Sequence, residues 1–200
     1  SLIYLDQMNR IGLTPHRLGY TYLSLSENNR DSATNIFTDV FEKGIRHLNP
    51  DIEDDTIKRT LEDISLALDN EDLGKSFYTM LTTNSGVKLI DLADFSQNSL
   101  HVVTELTCKN GEDEFRPDIT LLINGMPLAF IEVKKPNNQE GVLAERDRIN
   151  VRFKNKKFRK FINISQILVF SNNMEYDQDS VEPIQGAFYS STSFNEANFN

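Results

Sequence analysis

The chain has no tryptophan, one cysteine, six prolines and nine glycines among its 200 residues. A single thiol, Cys108, rules out an internal disulfide framework and is typical of a reducing compartment. We therefore expect a cytoplasmic protein in which Cys108 is a buried side chain and not a nucleophile. No apolar run approaches the ~20 residues needed to span a bilayer. The sequence also lacks the positively charged start and following short apolar segment of a secretory signal.

Three classes of catalytic motif are also absent. Without a Gly-x-x-x-x-Gly-Lys-Ser/Thr loop, ATP chemistry cannot reside in these residues. Without a Gly-x-Ser-x-Gly elbow, a serine hydrolase of that type is excluded. The histidines at positions 16, 47 and 101 are scattered and do not have the spacing of zinc ligands, so we interpret them as structural.

The chain contains apolar residues at helical spacing in its first third and strand-forming runs in the remainder. With 38% apolar and 26% charged residues, it has a globular composition and a length that suits one domain. We predict three helices before residue 85, and one longer helix over about 140–160. The predicted strands cover 87–91, 100–107, 118–123, 127–134, 164–171 and 184–190. This order predicts an α/β fold with a mixed sheet flanked by helices.

Two acidic residues and a lysine lie at the ends of the two most apolar strands. Asp118 precedes Ile-Thr-Leu-Leu-Ile, and Glu132 and Lys134 close a strand that begins at Leu128. Two carboxylates can hold a hard cation such as Mg²⁺ through oxygen ligands. A neighbouring lysine can stabilise charge or help to deprotonate water. The alternative is structural, with Asp118 and Lys134 as a surface ion pair and Glu132 solvated.

The register of this hairpin decides whether the two acids share a face. Asn124-Gly125 is a strong hairpin signal, but a plain two-residue turn would place Asp118 opposite Ile131 and the acids on opposite faces. A three-residue loop, 124–126, would place Asp118 opposite Glu132. A shared metal site therefore predicts the longer loop or a compensating bulge, because a one-residue slip reverses every side chain.

Positive charge is concentrated in one segment although the net charge is −9. Residues 131–160 carry 10 basic and 4 acidic side chains, a net of +6, whereas residues 161–200 carry no lysine or arginine. Phosphate contacts supply most sequence-independent affinity for nucleic acid, so this segment is a candidate DNA-binding surface. A solvated helix face is the alternative. The candidate DNA-binding residues are Lys135, Arg148, Arg152, Lys154, Lys156, Lys157, Arg159 and Lys160.

The sequence from Arg116 to Leu128, together with Phe130 to Pro136, resembles the Pro-Asp…(Asp/Glu)-X-Lys nuclease superfamily. Over about residues 15–190, the chain is similar to the nuclease domain at the N-terminus of type I restriction enzyme R subunits. Other matching stretches are 18–20, 29–32, 48–52, 87–91, 102–106 and 168–172.

This resemblance implies a restriction-endonuclease-like fold and a type I site-specific deoxyribonuclease. It implies Asp118, Glu132 and the Val133 carbonyl as ligands of Mg²⁺, for which Mn²⁺ can substitute, and Lys134 as the catalytic lysine. It also implies double-stranded DNA as substrate, methyltransferase and specificity subunits as partners, and ATP use only in a motor region outside these residues.

The resemblance leads us to expect one nuclease domain over 1–190 within a larger motor subunit. Its helical part would cover about 1–85, its sheet and catalytic part about 86–190, and a peripheral tail 191–200. Many relatives carry a Gln-x-x-x-Tyr on the next helix, whereas this chain has Arg148 and Arg152 there. A DNA-docking or assembly module without catalysis is therefore an alternative, and a stand-alone repair nuclease is another. Glu105, on a neighbouring strand, could support the site, be a further acid of it, or be merely solvated at the edge of the core.

Overall fold

The computed structural model describes residues 19–26, 28–83, 86–133, 139–171 and 187–190. They form a six-stranded mixed sheet flanked by helices, with a separate two-stranded hairpin. This is the α/β architecture that the sequence predicts, and it is compatible with a restriction-endonuclease-like fold. In the part of the chain so described, no helix has both the length and the apolar character that crossing a bilayer requires.

The elements are numbered in chain order. The helices are α1 (Thr38–Leu48), α2 (Asp54–Ala67), α3 (Lys75–Thr82), α4 (Gln139–Lys154) and α5 (Arg159–Ile164), with 3₁₀ turns at Phe95–Gln97 and Lys156–Phe158. The strands are β1 (Thr21–Tyr22), β2 (Leu100–Thr104), β3 (Cys108–Asn110), β4 (Asp113–Phe115), β5 (Ile119–Ile123), β6 (Met126–Val133), β7 (Ile167–Ser171) and β8 (Ala187–Ser190).

Strands β5 and β6 lie at the centre of the sheet, whose order is β1-β2-β5-β6-β7-β8. β5 is antiparallel to both β2 and β6, while β6 and β7 are parallel and are connected through α4 and α5. Both faces are covered, because Leu122 and Phe130 pack in one apolar cluster and Ile119 and Ile131 in another. These two apolar strands are therefore the central pair of the sheet.

The first three helices pack their apolar stripes into a common core, as their periodicity predicts. Phe41 and Ile45 of α1 are fully buried, as are Ile64 of α2 and Phe77 of α3. The third helix begins at Lys75 and not at the acidic residues before it. Asp72 instead precedes the helix and accepts hydrogen bonds from the backbone N–H groups of Gly74 (3.0 Å) and Ser76 (2.8 Å).

The prediction of a strand at 87–91 is wrong. Leu89 and Ile90 are buried, but asparagine side chains, and not a neighbouring strand, bond the backbone here. Asn49 accepts from the N–H of Lys88 (3.0 Å) and donates to its carbonyl oxygen (2.9 Å). Asn98 does the same for Asp91, at 2.9 and 2.8 Å. Buried backbone groups need partners, and these side chains supply them without a ladder.

Two further boundaries differ from the prediction. The helix predicted over 140–160 ends at Lys154, because Asn155 adopts an extended conformation and its side chain accepts from the N–H of Lys157. The strand predicted over 100–107 ends at Thr104 and is followed by the β3–β4 hairpin, which the prediction missed. The Asn110-Gly111 pair is the signal that could have revealed it, since Gly111 has the positive φ of 67° that such turns use.

Candidate active site

The turn between β5 and β6 has two residues, and a bulge then restores the register that a shared site requires. Ile123 pairs with Met126, as in a plain Asn124-Gly125 turn, but Leu121 pairs with Ala129. Leu128 is therefore an extra residue in β6. Of the two solutions that the sequence allowed, the structure contains the compensating bulge and not the three-residue loop.

The residues at the bulge explain why it is tolerated in a central strand. Pro127 has no N–H and is tolerated inside a central strand only at such an irregularity. The carbonyl oxygen of Leu128 accepts a 2.7 Å hydrogen bond from the N–H of Gln166, directly before β7. The side chain of Leu128 packs in the core of the N-terminal helices. The extra residue is thus bonded and buried.

Asp118 and Glu132 lie opposite each other at the end of this hairpin. Ile119 pairs with Ile131, so continuing by one residue brings Asp118 to Glu132. A hydrogen bond of 2.7 Å from the N–H of Val133 to Oδ2 of Asp118 supports this register. Directly opposed residues have Cβ atoms about 4.5–5.5 Å apart. The two acids that the sequence singled out therefore come together on one face of the sheet.

The surroundings of the two carboxylates differ. Glu132 is only 5% exposed, whereas Asp118 is half-buried. They share their face with Thr120 and Phe130, which pair directly. The hydroxyl of Thr120 is fully buried and has no hydrogen-bond partner among the described residues. A buried carboxylate beside a second one is unfavourable unless positive charge lies close to both.

This donor set fits Mg²⁺ better than a cation that needs a full protein cage. Among the described residues, no three His, Cys, Asp or Glu side chains lie together as a metal cluster. The protein ligands would be the carboxylates of Asp118 and Glu132 and the backbone carbonyl of Val133. Mg²⁺ is commonly held by one or two carboxylates, with water and substrate phosphate as its other ligands.

Two predicted site residues, Lys134 and Lys135, lie outside the described residues. The described part of β6 ends at Val133, directly before them.

Glu105 lies beside the site without joining a metal cluster. Its N–H donates a 3.0 Å hydrogen bond to the carbonyl oxygen of Asp118, and its φ of 54° is left-handed. Its carboxylate is exposed and lies 4.0 Å from the guanidinium of Arg116. The side chain of Glu105 is thus exposed, while its backbone N–H supports Asp118.

The predicted DNA-binding residues of α4 lie in two different environments. Arg148 is exposed, whereas the guanidinium of Arg152 lies over the ring of Phe115, 3.9 Å from its centre. Phe115 in turn contacts Phe130 of β6 edge-on, with ring centres 5.5 Å apart. Arg152 is therefore partly a packing residue, whereas Arg148, one helical turn earlier, lies at the surface.

The remaining basic residues divide among the end of α4, the 3₁₀ turn and α5. Lys154 is exposed. Lys157 pairs with Asp113 at 2.6 Å, and Lys160 donates to the hydroxyl of Ser65 at 2.9 Å. Lys156 and Arg159 both contact Glu71, at 3.1 and 2.8 Å. The segment thus packs against the N-terminal helices and keeps most of its cations near the surface.

Cys108 and the histidines have structural environments where they are described. Burial raises the pKa of the Cys108 thiol to about 12, so it is a poor nucleophile near neutral pH. His47 contacts Gln97 at 3.2 Å. The half-buried His101 has an Nδ1 atom without a partner among the described residues. His16 lies outside them.

Sequence reasoning missed Asn124 as a positioning residue. Its N–H and Oδ1 bond the carbonyl oxygen and N–H of Ser99, at 2.9 and 2.8 Å. Its Nδ2 donates to the carbonyl oxygen of Leu89 and to Oδ1 of Asn98, both at 2.9 Å. The side chain is fully buried. The Asn-Gly pair predicted the turn, but nothing in its spacing predicted that the turn would be buried.

The chain is similar to known proteins over most of its length. Residues 8–177 match the family model described as the type I restriction enzyme R protein N terminus. The chain is also 31% identical, over 185 residues, to a Methanocaldococcus jannaschii protein provisionally named the type I restriction enzyme MjaIXP endonuclease subunit. That alignment covers 79% of this chain and 17% of the relative, so the chain spans about a sixth of the relative's length.

Proposed function

Because the chain belongs to the family of type I restriction enzyme R protein N termini, we propose that it is the Mg²⁺-dependent endonuclease domain of such a subunit. Its substrate is double-stranded DNA, and its site is of the Pro-Asp…(Asp/Glu)-X-Lys type. The observation that carries the proposal is the opposition of Asp118 and Glu132 at the end of the central hairpin.

The reaction is hydrolysis of a phosphodiester bond. The oxygen of a water molecule forms a bond to phosphorus while the bond from phosphorus to the leaving sugar oxygen breaks. The water loses a proton to solvent, and the leaving oxygen gains one. At such a site, Mg²⁺ supplies Lewis-acid activation of the water and neutralisation of phosphate charge.

The protein side chains have separate roles in this proposal. The carboxylates of Asp118 and Glu132 and the carbonyl of Val133 would hold the cation, and the hydrogen bond from the N–H of Val133 orients Asp118. The burial of Glu132 limits competition by bulk water. Lys134, two residues beyond Glu132, stabilises the charge that develops on the phosphate.

DNA reaches the site along the basic segment that follows β6. Arg148 and Lys154 are exposed on α4 and are suited to contact phosphates. Arg148, together with Arg152, stands where many relatives carry the Gln-x-x-x-Tyr. Lys156, Lys157, Arg159 and Lys160 extend this basic surface towards the N-terminal helices.

In the whole subunit, ATP-driven translocation would reside outside these residues, and methyltransferase and specificity subunits would be the partners. The name of the M. jannaschii relative, an endonuclease subunit of a type I enzyme, supports this assignment. The net charge of −9 disfavours non-specific DNA binding by the domain alone. Partner subunits would therefore bring the domain to DNA.

The test is cleavage of duplex DNA by the assembled enzyme in Mg²⁺. Asp118→Asn keeps an oxygen that can accept from the N–H of Val133 but removes the charge, so cleavage should disappear while assembly and ATP hydrolysis persist. Lys134→Ala should also abolish cleavage. Full cleavage by either variant would contradict the nuclease assignment and favour a docking module.

A further inference from the structure

A single carboxylate lies between two of the cations assigned to DNA. Oε1 of Glu71 is 3.1 Å from Nζ of Lys156 and 2.8 Å from Nη2 of Arg159. An ammonium and a guanidinium converging on one anionic oxygen is the arrangement by which proteins bind phosphate. Their hydrogen bonds and charges, those of Lys156 first, lower the pKa of Glu71, so its carboxylate is ionised at neutral pH.

The loop that carries Glu71 is packed tightly against the basic segment. A Cβ added to Gly74 would lie 2.3 Å from the carbonyl oxygen of Asn163 in α5. The buried side chain of Asn163 donates to the carbonyl oxygens of Leu68 and Asn70, at 2.9 and 2.8 Å. The loop also contains two consecutive residues with left-handed φ, Leu73 (53°) and Gly74 (82°). The position of Glu71 therefore depends on backbone packing and not only on its own ion pairs.

Neighbouring polar groups in the loop have other partners. Asp72 accepts from the backbone N–H groups at the start of α3. The carbonyl oxygen of Asp69 accepts from Nη1 of Arg159 at 2.9 Å. Among the described residues, Glu71 is the carboxylate of this loop that contacts the basic segment. Beside it lies a cleft of about 270 Å³, lined also by Asn70, Leu73, Lys154 and Ile162.

We propose that Glu71 is a built-in phosphate mimic, which occupies a DNA-backbone phosphate site formed by Lys156, Arg159 and Lys154 and competes with DNA for it. This inference rests on the proposed function, because the ligand is a phosphate of duplex DNA. The competition weakens binding by DNA that has not been brought to the enzyme by other contacts. DNA that other contacts hold near this site has a high local concentration and displaces Glu71. The exposed side chain of Glu71 can then move into solvent.

The side chain of Glu71 is 67% exposed, so its ion pairs contribute little to stability. Their removal should free two cations without unfolding the loop, since Asn163 and Gly74 still hold it. A carboxamide at position 71 fills the same volume without the charge, which makes Glu71→Gln the appropriate change.

The experiment is fluorescence anisotropy of a labelled 30-base-pair duplex with the full-length R protein, in EDTA, over a range of salt concentrations. Glu71→Gln should tighten binding by about three- to tenfold and steepen the dependence of log K on log salt by about 1. Glu62→Gln is the matched control, because Glu62 is exposed on α2 and has no ion pair among the described residues. It changes the net charge by the same amount and should have a smaller effect.

A second set of variants tests whether the tighter binding depends on the freed cations. Lys156→Ala in the Glu71→Gln background should reduce the gain, because one of the two freed cations is then missing, and Lys156→Ala combined with Arg159→Ala should abolish it. Equal affinities of Glu71→Gln and Glu62→Gln would overturn the proposal, as would a gain that persists without Lys156 and Arg159. Cleavage in Mg²⁺ separates this inference from the proposed function. Tighter binding by Glu71→Gln without any cleavage supports the phosphate site and contradicts the nuclease, whereas cleavage with equal affinities contradicts the phosphate site alone.

Discussion

The N–H of Val133 donates a 2.7 Å hydrogen bond to Oδ2 of Asp118, across the two central strands of the sheet. This contact links the acid that precedes β5 to the residue directly after Glu132. It is possible because one extra residue, Leu128, is accommodated in β6 after a two-residue turn. The site therefore depends on the bulge as much as on the acids themselves.

The turn of this hairpin should be unusually sensitive to added volume. In Gly125→Ala, the new Cβ would lie 2.6 Å from the carbonyl oxygen of Phe37 and 2.7 Å from the N–H nitrogen of Phe41, both backbone atoms that cannot move aside cheaply. Gly111→Ala is the control, because Gly111 also has a positive φ but its Cβ would meet nothing within 4 Å.

We expect Gly111→Ala to lower the free energy of unfolding by about 1 kcal/mol, the strain of a left-handed alanine. Gly125→Ala should lower it by a further ~2 kcal/mol, because the backbone clash is added. Urea denaturation of the two variants measures the difference. Equal losses would show that α1 does not press on the turn as described.

Alanine substitutions at the two arginines of α4 should have different effects on stability. Arg152→Ala removes a guanidinium that covers the ring of Phe115, so both thermal stability and DNA affinity should fall; the stacking contributes about 0.5–2 kcal/mol. Arg148→Ala removes the charge of an exposed side chain, where ion pairs contribute little to stability, so DNA affinity should fall at nearly constant melting temperature. Calorimetry and a DNA-binding titration on each variant test this, and a stability loss confined to Arg148→Ala would contradict the assigned environments.

His101 should make stability depend on pH below neutrality. Burial first, and the charge of Lys43 second, lower the pKa of His101 from 6.5. The unfolded chain therefore binds the proton more readily, and stability is complete above pH 6.5 and declines as pH falls from there towards the lower folded pKa. His101→Gln should flatten the decline in urea midpoints between pH 7.5 and pH 5. An unchanged slope would assign the pH dependence to other groups.

The helices, the central strands and the identity of the two acids were accessible from sequence because each rests on local periodicity or on strand-end position. The register was accessible only as a choice between a longer loop and a bulge. The choice itself depends on distant contacts, such as the hydrogen bond from Gln166 to Leu128, that no local pattern contains.

The errors have a common physical origin in side chains that replace backbone partners. Residues 87–91 have a strand's composition, yet Asn49 and Asn98 bond their backbone from outside the sheet. The basic run has a helix's composition, yet the side chain of Asn155 accepts from the N–H of Lys157 and a 3₁₀ turn follows α4. The ion pairs of Glu71 with Lys156 and Arg159 connect residues more than 80 positions apart, beyond the reach of any sequence window.

The opposition of Asp118 and Glu132 is tested most directly by titrating Mn²⁺ calorimetrically into the full-length protein with a non-cleavable duplex present. The wild-type protein should bind Mn²⁺, and both Asp118→Asn and Glu132→Gln should weaken binding by at least about a hundredfold. Glu105→Gln, which removes an exposed carboxylate beside the site, should leave the affinity unchanged. Unaltered Mn²⁺ affinity in the Asp118 and Glu132 variants, or no binding to the wild-type protein, would contradict a metal site shared by these two acids.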